Sequence, residues 1–198
     1  MPLEREVEYW EGIAHRCIND ENGITDNVWK RPWQLRKLLN YDWIGENVLE
    51  IGVGSAMVAG ALQVAVQAHW DYIGTELSPH FRAAAKRMFQ LDTVEADVRE
   101  LPEGQYTRII ALDSLEHVRP EHRAEGYAKI ASVAAPDALL FIHFSYGVSA
   151  HDKEFDHPFG TEDLLALEKE GFTLISYERT ICHHPQGEIP YVFVVMKK

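Results

Sequence analysis

From Asn47 to Lys197, short apolar runs alternate with stretches of helical periodicity, and this alternation constrains the fold more than any other feature. The runs are "NVLEIG", "YIGTEL", "TVEAD", "RIIALDSL", "ALLFIHFSY", "FTLISYERT" and "PYVFVVMK". Strands separated by helical stretches are crossover units, which build a mainly parallel sheet with helices on both faces. The last two runs are joined only by "ICHHPQGEI", too short for a helical crossover, so they are expected to pair as an antiparallel hairpin at the end of the sheet. Two helix starts have local support. Ser78-Pro79 places a cap before a proline, and Thr161-Glu162-Asp163 places a cap before two acids.

Ahead of this pattern, "EREVEYWEGIAHRCI" sets Val7, Trp10, Ala14, Cys17 and Ile18 on one helical face, and "NDENGITDN" breaks the period. A second short helix is expected from Pro32 through "WQLRKLLNY". These elements read as an attachment to the repeating core. A chain of 198 residues with 46% apolar content can bury one sizeable core. The expectation is a single domain over residues 1–198, with a helical attachment at 1–45 and an α/β core at 46–198.

Formal charge is −12, and no run of Lys or Arg exceeds two residues, so long-range electrostatics repel a phosphate backbone. No nucleic-acid partner is expected, and the bases of "WKRPWQLRK" read as the solvated face of a helix. The opening "MPLEREVEYW" is charged, and no window approaches the roughly eighteen apolar residues of a membrane span, so neither a secretory signal nor an anchor is expected. Cys17 and Cys182 are the two cysteines, widely separated and outside any metal-ligand spacing, which suits a reducing compartment and a cytoplasmic location.

In an open parallel sheet, ligands bind beyond the carboxyl ends of the strands. Four successive strand ends deliver a carboxylate: Glu50, Glu76, Asp97 and Asp113. The first leads into "GVGSAM", where Gly52 and Gly54 allow a sharp turn and close approach of a ligand to the backbone. A dinucleotide fingerprint requires a third glycine at Met57 and brings a pyrophosphate to the helix start, where Glu50 would repel it. S-adenosylmethionine fits better, since its amino group and sulfonium are cationic and it has no phosphate. On this reading Glu50 favours the methionine end, and Glu76 accepts hydrogen bonds from both ribose hydroxyls. Asp97 accepts from the adenine amino group, while the Val98 amide donates to a ring nitrogen. Each carboxylate taken singly also reads as a helix cap or a solvated loop residue.

The stretches "VLEIGVGSA", "YIGTELSP", "VEADVRELP", "IIALDSLEHV" and "LLFIHFSY", in this order, resemble the class I S-adenosylmethionine-dependent methyltransferases over most of the sequence, from about Asn47 to Lys198. The resemblance implies a Rossmann-like seven-stranded sheet whose last strand is antiparallel and inserted beside its neighbour. It carries the cofactor role onto Glu50, Gly52, Gly54, Glu76, Leu77, Asp97, Val98, Asp113 and Leu115. The family usually has glycine where Ala56 stands, so the backbone there is expected to be less free.

The fourth strand ends in "LDSLEHV", not in the Asn/Asp-Pro-Pro-aromatic turn with which related enzymes clamp a nucleic-acid base. The "LEHV" tetrapeptide is similar to that of small-molecule methyltransferases, in which a histidine at the position of His117 helps shape the site. A capping or packing role for His117 stands beside that one. His143, at the end of a strand and with an ordinary pKa near neutrality, is the first candidate for a general base. Tyr146 and His157 lie in or beside a loop that also holds His151, Asp152 and Asp156, and such loops usually carry substrate contacts. Trp29 and Trp33, with Tyr9 or Trp10, either form an aromatic lid or pin the attachment to the core. "HDKEFDH" and Cys182-His183-His184 lack a fixed ligand spacing, so no metal is expected.

The reading is therefore methyl transfer to a small-molecule acceptor by a monomer or homodimer. The alternatives are methylation of a protein or nucleic-acid component, or a non-catalytic relative that binds the cofactor or nothing. An inactive relative would usually have lost its strand-end carboxylates, and this chain keeps them.

Overall fold

The expected alternation of strand and helix holds along the chain in a computed structural model, which describes residues 3–19, 23–24, 31–67, 70–146, 155, 157–184 and 187–198. Helix α1 (Leu3–Cys17) is followed by two short antiparallel strands, β1 (Ile18–Asn19) and β2 (Gly23–Ile24), and by helix α2 (Arg31–Leu38). The core then runs β3 (Asn47–Ile51), α3 (Met57–Val66), β4 (Asp71–Thr75), α4 (Pro79–Phe89), β5 (Thr93–Val94), β6 (Tyr106–Leu112), α5 (Pro120–Val133), β7 (Ala134–Ser145), α6 (Thr161–Lys169), β8 (Thr173–His184) and β9 (Gly187–Lys197). Seven strands form one sheet in the order β5-β4-β3-β6-β7-β9-β8. The pairs β3/β4, β4/β5 and β6/β7 are parallel, whereas β9 runs antiparallel to both β7 and β8. The final strand thus lies between its two predecessors, as the resemblance implied.

Two compact units make up the chain, Met1–Asp97 and Val98–Lys198. In the first, β3 buries Val48, Leu49, Glu50 and Ile51, and α3 buries Val58, Ala59, Gly60 and Leu62. Helix α4 begins as expected. Ser78 Oγ accepts the Phe81 amide at 3.2 Å and Pro79 occupies the first turn, while Phe81, Ala84 and Ala85 turn inward at helical spacing. Its far end packs on α3, where Phe89 faces Gly60 and also packs against the cluster of Val53, Ala56, Ala59, Ala85 and Leu91. Helix α1 docks on α4 through Ala14 and Ile13 against Phe81 and Ala84.

In the second unit, β6 and β7 bury near-continuous apolar runs, as strands covered on both faces do. Helix α5 directs Arg123, Tyr127 and Ile130 inward at helical spacing. Helix α6 departs from expectation by one residue. Gly160, not Thr161, is its N-cap, and the Asp163 carboxylate accepts the Gly160 amide at 2.8 Å. Asp163 therefore serves as the third-position acid of a capping arrangement whose cap residue contributes only backbone. Among the described residues, no helix is long and apolar enough to cross a membrane.

A Cβ built on Gly60 would come within 2.2 Å of the Phe89 ring, so the start of α3 is set by a contact that excludes a methyl group. Helix propensity alone would make Gly60→Ala more stable by up to about 1 kcal/mol. The expected outcome is a net loss of about 1–2 kcal/mol from overpacking, read from urea unfolding midpoints. A gain would show that Phe89 turns aside freely.

Candidate active site

The turn between β3 and α3 concentrates left-handed backbone. Gly52, Gly54 and Ala56 have φ of 69°, 52° and 57°. Two of these positions hold glycine, the residue that adopts such angles without steric cost. A Cβ at Gly54 would meet nothing within 4 Å, so its glycine leaves open space at the turn. Strand β4 holds the turn in place. Thr75 O accepts the amides of Gly52 and Val53 at 2.9 and 3.0 Å, and Glu76 Oε2 accepts the Gly54 amide at 2.8 Å.

Glu76 is buried, and burial pushes its carboxyl pKa up against the lowering effect of the Ser78, Gly54 and Leu77 amides and of Arg82. Its Oε1 accepts the Ser78 amide at 2.9 Å. A carboxylate offers about four lone-pair sites, so acceptor capacity for further donors remains.

Glu50 occupies the other acidic strand end of this turn, buried to 4% exposure. Its Oε2 accepts the Tyr72 hydroxyl at 2.5 Å. Desolvation raises its pKa to about 7; the Tyr72 hydrogen bond and the Arg31 charge oppose the rise, and Glu76 adds to it. Tyr72 stacks on Trp70, which meets Trp43 edge-on. Leu77 is half-buried beside Glu76, and Asp97 lies shortly beyond β5, also half-buried. Trp33 is half-buried on α2, whereas Trp29 lies outside the described residues.

In the second unit, Val98 opens a 3-10 turn and packs against Gly126 of α5. Asp113 directly follows β6 with φ 53°, donates its amide to His143 O at 2.8 Å and places Oδ1 2.6 Å from His143 Nδ1. His143 is fully buried in β7 and stacked on Tyr191 at 5.0 Å. Of this pair, Asp113 keeps the exposed face, at 10%. Leu115 is buried at the start of the next 3-10 turn.

His117 Nδ1 lies 3.2 Å from Phe155 O, and the His157 amide donates to Glu116 O at 2.9 Å. Both contacts tie the segment after β7 to the turn after β6. Arg123 completes the tie by donating to Val118 O, Pro158 O, His157 O and Asp163 Oδ1, with its guanidinium 5.5 Å from the Phe159 ring centre. Tyr127 donates to the same Asp163 oxygen at 2.7 Å, and burial together with that carboxylate pushes its pKa far up. Tyr146 is 38% exposed at the end of β7, its ring 5.4 Å from the Arg179 guanidinium. His151, Asp152 and Asp156 lie outside the described residues.

Within each unit, then, the structure groups some candidates and separates others. Glu50, Gly52, Gly54 and Glu76 share one turn, and Asp113 and His143 form a hydrogen-bonded pair. His117 and His157 sit on the latched segment. Sequence reasoning missed Tyr72 and Arg31, which set the state of Glu50, and the Arg123–Asp163–Tyr127 node. The four-residue spacing of Arg123 and Tyr127 is a signal that they share a helix face, but nothing local pairs them with Asp163.

Residues 48–137 match the family model described as a methyltransferase domain. No curated protein matches the sequence. Among solved structures, the chain is similar to magnesium protoporphyrin IX methyltransferase from Synechocystis PCC 6803 with bound SAH, at 16% identity and a TM-score of 0.73 over 98% of this chain and 99% of that one. It is similar to N-methyltransferase NodS from Bradyrhizobium japonicum WM9 in complex with S-adenosyl-L-homocysteine, at 14% identity and a TM-score of 0.73 over 96% and 98%. It is also similar to the cyclase SpnF, at 17% identity and a TM-score of 0.65 over 85% and 79%. At such identities the likeness is one of fold.

The raised pKa of Glu50 has a consequence for stability. Between about pH 4.5 and 7 the folded chain holds a proton there that the unfolded chain releases, so this group makes stability fall as pH rises through that window. Glu50→Gln should match the wild type near pH 4 and exceed it at pH 8 by up to about 3 kcal/mol in chemical denaturation. An identical difference at both pH values would show that Glu50 titrates normally.

Proposed function

We propose, from the premise that the chain belongs to the class I S-adenosylmethionine-dependent methyltransferases, that it transfers a methyl group from S-adenosylmethionine to a small-molecule acceptor. The observation that carries the cofactor reading is the open space at Gly54, flanked by the buried carboxyls of Glu50 and Glu76. A cationic, phosphate-free ligand suits that pair. Neutralising Glu50 costs a phosphate ligand nothing only while the proton stays on, whereas a nearby cation draws the proton off and gains an ion pair.

When bound, S-adenosylmethionine supplies a methyl carbon already activated by its sulfonium. The chain's residues have the tasks of binding, orientation and proton removal. Glu76 accepts the ribose hydroxyls on the lone pairs left by Gly54 and Ser78. Asp97 and the Val98 amide take the adenine edge, and Leu77 and Leu115 contribute apolar contact to the nucleoside. Glu50 faces the methionine end. On the acceptor side, Trp29, Trp33, Tyr146, His117 and His157 contribute contacts, and residues 1–45 act as a helical lid on a single domain of 1–198.

His143 Nδ1 holds the Asp113 carboxylate at 2.6 Å, so the two act as one proton-handling pair. Because His143 is buried and Asp113 keeps an exposed face, Asp113 is the member that meets a ligand, while His143 holds its carboxylate in place. The net charge of −12 favours a small acceptor over a nucleic acid. Two of the similar solved structures are named for methylating magnesium protoporphyrin IX and for N-methylation, the first of these a small molecule. A cytoplasmic monomer or homodimer completes the reading.

Calorimetric titration should show S-adenosylmethionine binding and no NAD binding, with Glu76→Gln weakening the former by about 10- to 100-fold. Incubation of a cell extract with methyl-labelled S-adenosylmethionine should place the label in the small-molecule fraction. Tight NAD binding without S-adenosylmethionine binding would overturn the cofactor reading, and label confined to protein or nucleic acid would overturn the acceptor class.

In the same labelling assay, His143→Ala should slow transfer by about 100-fold or more while cofactor affinity changes little. Unchanged transfer would take His143 out of the mechanism.

A further inference from the structure

Helix α1 and the start of α4 bring together three side chains that the proposed methyl transfer does not use. Glu11 and His15 stand four residues apart on α1 and so share a face, and His80 lies in the first turn of α4. One ligand atom from each of the three falls within 4.8 Å of the other two. His15 Nε2 lies 3.4 Å from Glu11 Oε1, and the two imidazole rings lie 4.3 Å apart at 37°.

We propose that Glu11, His15 and His80 form a binding site for a divalent transition-metal ion of the zinc type, which ties α1 to α4. In a tetrahedral site with metal–ligand lengths of about 2.0–2.1 Å, neighbouring donor atoms lie roughly 3.3 Å apart. The Glu11–His15 pair already has that separation, and the remaining contraction is at most about 1.5 Å, within reach of side-chain rotations.

The carboxylate is also oriented for the task. Glu11 Oε2 accepts the Ser78 hydroxyl at 2.5 Å and the His80 amide at 3.3 Å, which turns Oε1 toward the imidazoles. Hydrogen bonds that fix the non-ligating oxygen are the outer-shell support metal sites commonly have. A helix-capping role for Glu11 explains Oε2 alone. It gives no reason for two imidazoles to face each other beside Oε1. An ion accepting one nitrogen from each ring accounts for the arrangement.

The donor set selects the ion class. Two imidazoles and one carboxylate suit zinc, cobalt, nickel or copper, whereas calcium and magnesium demand oxygen ligands. The His15 side chain is 63% exposed, which leaves a path for the ion and a place for a water as fourth ligand. The site was not legible in the sequence because His80 stands far along the chain from Glu11 and His15.

The test uses full-length protein stripped with a chelator and titrated with zinc chloride, followed by calorimetry and thermal unfolding, with cobalt(II) absorption as a second readout. One zinc should bind with micromolar or tighter affinity, raise the unfolding temperature, and in the cobalt form give the visible bands of a low-coordinate site. His15→Ala and His80→Ala should each weaken binding by about tenfold or more and abolish the thermal shift. Glu11→Gln, which keeps an acceptor for Ser78, should weaken zinc binding while leaving the metal-free unfolding temperature close to that of the wild type. A double variant at His183 and His184 should bind as the wild type does. The proposal falls if zinc fails to bind below about 100 µM, or if the His15 and His80 variants bind it as the wild type does.

Discussion

The Glu76 carboxylate is the contact on which the first unit's ligand-facing region depends. One oxygen accepts the Gly54 amide and so fixes the turn after β3; the other accepts the Ser78 amide and fixes the start of α4. Arg82 reinforces the same point from α4 by donating to Glu76 O and Leu77 O, each at 2.8 Å. A single buried side chain therefore closes two loops at once. Hydrogen bonds from amides stabilise its charged form, while desolvation opposes it. The residue assigned to the ribose is thus also the residue that shapes the turn, and its two roles cannot be separated by simple truncation.

Glu50 shares the region but is governed differently. Among the described residues, no backbone amide holds it in the way Gly54 and Ser78 hold Glu76; its hydrogen-bond partner is a phenol, and the Arg31 charge also acts on it. Desolvation therefore prevails and leaves its pKa near neutrality. Two neighbouring carboxyls with unlike environments can take unlike roles, one a fixed acceptor and the other responsive to charge. Arg31 precedes the core in sequence, so the attachment takes part in the electrostatics of the turn.

What the sequence made legible follows from the range of the physics involved. Strand–helix alternation, the terminal hairpin and the Ser78 cap depend on neighbours a few residues apart, and each is present. The placement of strand-end carboxylates follows from the same periodicity. Contacts across elements were not legible. The Tyr72–Glu50 pair requires the β3/β4 register, in which Val48 pairs with Tyr72 and Glu50 with Gly74. The Arg123 node joins α5 to the segment before α6. The cap of α6 moved to Gly160 because the side chain of Asp163 can serve a cap residue that has none, so the local Ser/Thr preference did not decide it.

Ala56 draws these threads together. Glycine is the expected residue there, and the backbone explains why: φ is 57° and ψ 13°, in the left-handed region that costs a residue with a Cβ about 1–2 kcal/mol. The conformation is still adopted, so something offsets the cost. The Ala56 methyl is buried with Val53, Ala59, Ala85 and Leu91, a cluster against which Tyr72 and Phe89 also pack. Burying a methyl returns roughly 0.8 kcal/mol, comparable with the lower end of the strain. The Gly60 amide, donating to Ala56 O at 2.9 Å, also secures the first turn of α3. Alanine here exchanges backbone ease for packing beneath the turn. Its side chain joins the same buried layer as Tyr72, whose hydroxyl sets the state of Glu50. The departure from glycine at this position therefore acts on the turn from beneath and leaves Gly54, with its open space, unchanged.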